Sequence, residues 1–215
     1  MSSLIKVGIT HGDVNGIGYE VLLKAFSDDR LLELFHPVIY GSSKSASYHR
    51  KVMEGDPVNF HIISKVEESQ EGKINLLNCV KEEIRIELGT ASAEAGESAY
   101  IALDQATNDL ANGKIDLLVT LPINKNSIQG VHFRFPGHTE FLEDRFAKNG
   151  EKALMILATE VLRVALVTTH LPLAEVPSKL SKELILEKLH ILNHSLKRDF
   201  RIENPRIAVL ALNPH

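Results

Sequence analysis

Disulfide chemistry is missing from this chain: Cys79 is the only cysteine in 215 residues, so no internal bridge can form. Its setting, INLLNCV, reads as a strand, which predicts a buried thiol that packs as an apolar side chain rather than a reactive one. No apolar run approaches the ~18–20 residues of a membrane helix, and the opening MSSLIKVGIT has no signal-peptide core. Blocks of one charge are also absent. The 24 basic residues are interspersed among 28 acidic ones, for a net charge of -4, which argues against a polyanion-binding surface and against nucleic acid as a partner. Gly12, Gly16 and Gly18 do not make G-x-G-x-x-G, and no G-x-x-x-x-G-K-[ST] occurs, so both familiar nucleotide fingerprints are missing. Together these absences predict a cytoplasmic protein with neither nucleic acid nor membrane as a partner.

What is present is an ordinary globular composition. With 44% hydrophobic residues, the chain can bury a sizeable core as one large domain or two small ones. Strand-like and helix-like segments alternate. KVGIT (6–10) turns through glycines into IGYEVLLKAF (17–26), where Ile17, Val21 and Ala25 recur at helical spacing. PVIYG, VNFHII and INLLNCV read as strands, and 43–54 as a helix. ESAYIALDQATNDLANG (97–113) carries Tyr100, Leu103, Ala106 and Leu110 on one face and ends on Gly113. IDLLVTLPINK is a strand broken at Pro122. TEFLEDRFAKNG (139–150) fits a helix with Thr139 as N-cap. ALMILAT and VLRVALVTT, closely spaced, predict an antiparallel hairpin. SKELILEKLHILNHSLKRDF is the longest helix, with Ile185, Leu189, Leu192 and Leu196 as its apolar stripe, and a last strand follows Pro205. The pattern predicts an α/β protein with a mixed sheet and two subdomains, with a boundary near 90–97, where GTASAEAGES is small and polar.

Ligands of open α/β sheets sit at the carboxyl ends of the strands. THGDVNGIG, PINKNS, TTH and NPH all fall at such ends, and FPGHTEF lies at a helix start. Each also has a structural reading. Asp13 and Asn15 can be turn residues bonding their own backbone, while the turn's amides can also meet an anion. Lys125 can be a solvated loop lysine or an anion contact. At 138–139 an imidazole and a hydroxyl stand where helix amides favour negative charge, although the hydroxyl can equally serve as a cap. His170 and His215 both end apolar runs; imidazoles on different strands can converge on zinc, yet two nitrogens do not complete a shell. His190 and His194, at i, i+4 on the long helix, lack the glutamate of H-E-x-x-H.

GITHGDVNGIGYE, TLPINK, FPGHTEFLE, MILATEVLRVALVTTHLPL and RIAVLALNPH, in this order from Lys6 to His215, resemble the 4-hydroxythreonine-4-phosphate dehydrogenases (PdxA) of vitamin B6 biosynthesis. The resemblance implies an isocitrate/isopropylmalate dehydrogenase-like fold, two α/β subdomains around a cleft. It implies oxidation of 4-phosphohydroxy-L-threonine, with NAD as cofactor and NADP as the alternative, and a divalent metal, zinc, magnesium or cobalt. His170 and His215 become metal ligands, His138 and Thr139 substrate contacts, and Lys125 an anion contact or proton relay. It further implies a homodimer with the active site at the interface.

Two departures accompany the match. Family chains run roughly half as long again, so the C-terminal part, with a third metal histidine and several substrate and cofactor residues, is expected to be missing here. In the first loop, Val14 and Tyr19 stand where the family has proline, which leaves open another substrate, such as a phosphorylated four-carbon sugar acid or a dihydrodiol. Two other readings are a non-catalytic α/β anion-binding module and a zinc hydrolase, for which Glu175 is the one carboxylate close to His170.

Overall fold

The computed structural model describes residues 4–53, 58–80, 84–130, 132–148 and 150–214. The chain divides into two compact units, Met1–Phe146 and Ala147–His215.

The first unit is built on five parallel strands: β1 (Lys6–Thr10), β2 (His36–Gly41), β3 (Phe60–Ile63), β4 (Ile74–Asn78) and β5 (Leu117–Thr120), in the order β3-β4-β2-β1-β5. Parallel pairs need crossovers, and helices α1 (Gly18–Ala25), α2 (Leu31–Leu34), α3 (Ser43–Val52) and α4 (Ala93–Ala111) lie in those connections. Register runs from Lys6 opposite His36 to Thr10 opposite Tyr40, and from Val7 opposite Leu117 to Thr10 opposite Thr120. β1 is therefore an interior strand, paired on both sides, and its carboxyl end opens into the THGDVNGIG turn.

Alternation along the strands sorts the core into two faces. Val7, Ile9 and Ile39 pack with Tyr19, Leu22 and Leu23 on one side. Val38, Tyr40 and Ile115 pack with Ala102 and Ala106 of α4 on the other. α4 begins earlier than the spacing of its apolar residues indicates: Ser92, which accepts from the Ala95 amide at 3.2 Å, caps it, so the small, polar stretch 90–97 enters the helix rather than a linker. After β5 come the short α5 (Lys125–Ile128) and then α6 (His138–Phe146).

The second unit holds a two-stranded antiparallel sheet, β6 (Ile156–Ala158) and β7 (Arg163–Ala165), then a 3-10 turn (Leu173–Glu175), α7 (Val176–Lys179) and α8 (Lys182–Arg198). The hairpin matches the sequence reading, and its turn is closed by Thr159, whose amide donates to the Leu162 carbonyl at 2.8 Å. Among the described residues the antiparallel pair forms a two-stranded sheet of its own. Within this unit the Arg163 guanidinium lies 4.6 Å from the centre of the Phe200 ring, and Lys188 Nζ donates to the Ala153 carbonyl at 3.0 Å.

Two strands are shorter or absent compared with expectation. The strand in VALVTT ends at Ala165, with one more backbone bond from the Leu166 amide to the Met155 carbonyl, and 205–211 forms no assigned strand. A strand requires a partner edge for its amides, and apolar content alone does not supply one. The other apolar segments gain theirs from β1 and its neighbours.

Candidate functional site

The turn after β1 is fixed from several directions. Gly12 takes φ 70°, and a Cβ there would overlap the Pro122 carbonyl, so only glycine lets this turn approach the PINK segment so closely. Asp13 donates its amide to that same carbonyl at 2.9 Å, while its Oδ1 accepts from the Asn15 amide at 2.9 Å. The Asn15 side chain donates to the Thr90 carbonyl at 2.9 Å and accepts from the Glu87 amide at 2.9 Å, stitching the turn to the approach into α4. Both turn residues are buried. The turn reading of Asp13 and Asn15 is therefore the one the structure supports.

Beneath it lies a stack that the sequence did not reveal. The Tyr19 ring sits between His11, 5.4 Å away, and His49, 4.9 Å away, and its hydroxyl donates to the Ser42 carbonyl at 3.1 Å. His11 Nε2 pairs with Ser98 Oγ at 3.3 Å, and burial drives the imidazole down to about 4, so it is neutral near neutral pH. Val14 and Tyr19, the residues in place of proline, are both fully enclosed. Their exchange is a change of internal packing, and neither side chain is exposed.

Lys125 opens the four-residue helix α5, capped by Asn124, whose Oδ1 accepts from the Asn126 and Ser127 amides at 3.0 and 3.2 Å. The lysine is exposed and has no hydrogen bond or ion pair among the described residues. α5 is held close to α4 because residue 96 is glycine: a Cβ there would overlap the Ser127 carbonyl.

His138 and Thr139 form the first turn of α6, a nine-residue helix. The Phe141 amide donates to the Gly137 carbonyl at 3.3 Å, so the helix begins before Thr139. Thr139 is a first-turn residue, not the N-cap. His138 Nε2 is enclosed and has no hydrogen-bond partner among the described residues, and burial holds the imidazole below its ordinary range. An enclosed polar atom without a partner is costly, and here it shares a helix N-terminus with a hydroxyl and with amides that have no intrahelical acceptor. This set accepts and donates at once, which suits a phosphate or carboxylate oxygen carried on a polar molecule. The aromatic cluster of Tyr100, Phe133, Phe135 and Phe141 underlies this turn.

In the second unit His170 is exposed and adopts φ 54°, a left-handed conformation that histidine visits more readily than most residues. It lies in the bend after β7. His215 lies outside the described residues. His190 and His194 are exposed on α8. Cys79 follows β4; burial pushes its thiol up to about 12, and Sγ donates to the Gly41 carbonyl at 3.7 Å, as a packed and unreactive cysteine should. Among the described residues no helix is long and apolar enough to cross a membrane.

The family described as "Pyridoxal phosphate biosynthetic protein PdxA" matches residues 33–215. The chain belongs to the PdxA family. A 4-hydroxythreonine-4-phosphate dehydrogenase of Bacteroides thetaiotaomicron is 50% identical over 211 residues, 98% of this chain and 57% of that protein. A second, from a Sulfurihydrogenibium species, is 36% identical over 212 residues, 99% of this chain and 64% of the relative. The crystal structure of a 4-hydroxythreonine-4-phosphate dehydrogenase from Burkholderia phymatum superposes with a TM-score of 0.84 at 29% identity, covering 100% of this chain and 64% of that one. The PdxA chain described here thus spans 57–64% of the length of these proteins.

PdxA membership explains the α/β fold with its parallel sheet, and the expected resident metal can be tested against the donors present. Among the described residues no three of His, Cys, Asp or Glu come together as a metal site. Of the two predicted ligands only His170 is described, and one imidazole does not make a shell. The described residues therefore do not by themselves fit a metal.

Proposed function

We propose that this PdxA-family chain carries the substrate-holding groups of a dehydrogenase that oxidises 4-phosphohydroxy-L-threonine in pyridoxal phosphate biosynthesis. The observation that carries the reading is the α6 N-terminus, where the enclosed, unpartnered His138 Nε2 stands beside Thr139. Relatives named for that activity, 50% and 36% identical, support the substrate. In the reaction the substrate's secondary alcohol becomes a ketone: the carbon gives a hydride to NAD, or to NADP in the alternative, and the hydroxyl loses its proton. The β-keto acid so formed then sheds carbon dioxide readily.

The chain's own residues bind and orient. The Thr139 hydroxyl and the first-turn amides of α6 donate to an anionic oxygen of the substrate. His138, neutral because it is buried, donates or accepts one hydrogen bond at Nε2 and holds the ligand's polar end against the helix. Lys125, exposed on α5, adds a cation to attract the anion. A divalent metal with His170 and His215 among its ligands, a homodimer with the site at its interface, and a cytoplasmic location complete the proposal, and they rest on the family resemblance.

Amide chemical-shift mapping of the isotope-labelled chain tests the reading. Adding 4-phosphohydroxy-L-threonine should shift the signals of 137–140, and unphosphorylated 4-hydroxy-L-threonine should shift them much less. Equal or absent responses at these positions would overturn it.

A further inference from the structure

The residues that hold α6 in place take no part in the binding chemistry, yet they decide where it sits. His138, Phe141 and Arg145 recur at i, i+3 and i+7 and so share one side of α6. Phe141 is 5% exposed and packs in the ring cluster, its centroid 5.6 Å from that of Phe133 and 5.5 Å from that of Phe135. One turn further on, Arg145 reaches α4: Nη2 donates to Asn108 Oδ1 and stands 3.3 Å from Asp104 Oδ1. Asn108 Nδ2 in turn donates to Asp104 Oδ2 at 3.0 Å, so the two acceptors form one cluster a helical turn apart on α4.

The apolar contacts of α6 with the ring cluster come from the adjacent Phe141 and Leu142 and act as one pivot, about which a short helix can tilt. Arg145 supplies the second fixed point, where its Nη2 meets two acceptors at once. His138 lies three residues from the pivot, ~4.5 Å along the axis. A tilt of about 15° would thus move it by roughly 1 Å, and misplacement on that scale can cost a site up to about 100-fold.

We infer that Arg145, clamped by Asp104 and Asn108, is a positioning residue that sets the direction of α6 and so aims His138 and Thr139 at the ligand. The inference rests on the reading of those two residues as substrate contacts. A surface ion pair with no such role would add slightly to stability and nothing to binding.

The test uses the isotope-labelled 215-residue chain and its Arg145→Ala, Arg145→Lys and Asp104→Asn variants, with inorganic phosphate as the probe and the Thr139 amide as the reporter. Arg145→Ala should raise the phosphate Kd about tenfold or more while Tm moves by only a few degrees. Arg145→Lys should recover part of the loss, because its ammonium can meet the same acceptors but on a more flexible stem that fixes the helix less firmly. Asp104→Asn, which leaves the arginine in place, should fall between the two. Wild-type affinity in Arg145→Ala overturns the inference. Should the wild-type chain itself not respond to phosphate, the substrate reading fails, and the inference is then judged on residual dipolar couplings of the α6 amides, which report helix direction without ligand. Couplings that change in Arg145→Ala sustain the positioning role, and unchanged couplings overturn it.

Discussion

His11 shows how much one side chain can be asked to do inside this fold. It stacks on Tyr19, pairs with Ser98 and is fully buried, and burial lowers its imidazole to about 4. In the unfolded chain the same group titrates near 6.5. Between these values the unfolded state binds the extra proton, so stability rises with pH across that window. The contribution is fully present above about pH 6.5, is lost as pH falls toward about 4, and amounts to roughly 3 kcal/mol. His36, His49 and His138, also lowered by burial, act with the same sign. Urea unfolding at a series of pH values should show this slope, and His11→Phe should flatten it; an unchanged slope in the variant would remove His11 from the account. The sequence places His11 beside a glycine turn but gives no sign of its stack, because Tyr19 and His49 come from different helices and only the register of β1 against β2 brings them together.

Helix α4 organises the candidate site from behind. Gly96 takes α5 against its first turns, Leu103 and Tyr100 face the ring cluster under α6, and Asp104 and Asn108 take Arg145. Both segments proposed to meet the substrate are therefore laid along one 19-residue helix. Gly96→Ala separates close packing from helix propensity. Alanine is the better helix former by about 1 kcal/mol, yet its Cβ would overlap the Ser127 carbonyl, so the variant should lose about 1–3 kcal/mol by urea unfolding. A gain in stability would show that α5 does not depend on this approach. Most elements are legible in the sequence because their apolar spacing is regular: Tyr100, Leu103 and Ala106 mark α4, and VIY and INLL mark central strands. The N-cap of α6 is misread at Thr139, since a threonine before an apolar run looks like a cap, and the Gly137 carbonyl that starts the helix carries no side-chain signal. The role of Arg145 is readable afterwards from its i+7 spacing to His138, but a partly exposed arginine on an amphipathic helix has many ordinary explanations.

The two units of the molecule differ in how far their cores are closed. In the first, β1, β2 and β4 are flanked by apolar residues on both faces, as a parallel sheet requires. In the second, Leu196 is the one buried apolar residue among those described, and α8 presents its stripe of Ile185, Leu189 and Leu192 only partly covered. That difference is not legible in composition, since an apolar run such as IAVLAL looks as strand-like as any in the first unit. What it lacks among the described residues is a partner strand, which the run itself cannot specify. Family membership is legible because PGHTEF, TTHLPL and LNPH keep their order, and the substrate contacts proposed for this chain, His138, Thr139 and Lys125, lie in the first unit. The most direct measurement is a calorimetric titration of the chain with 4-phosphohydroxy-L-threonine, repeated for His138→Gln and Thr139→Val. The account predicts saturable binding to the wild type and at least about a tenfold weaker Kd in each variant, from one lost charge-assisted hydrogen bond. Wild-type affinity in both variants would contradict it.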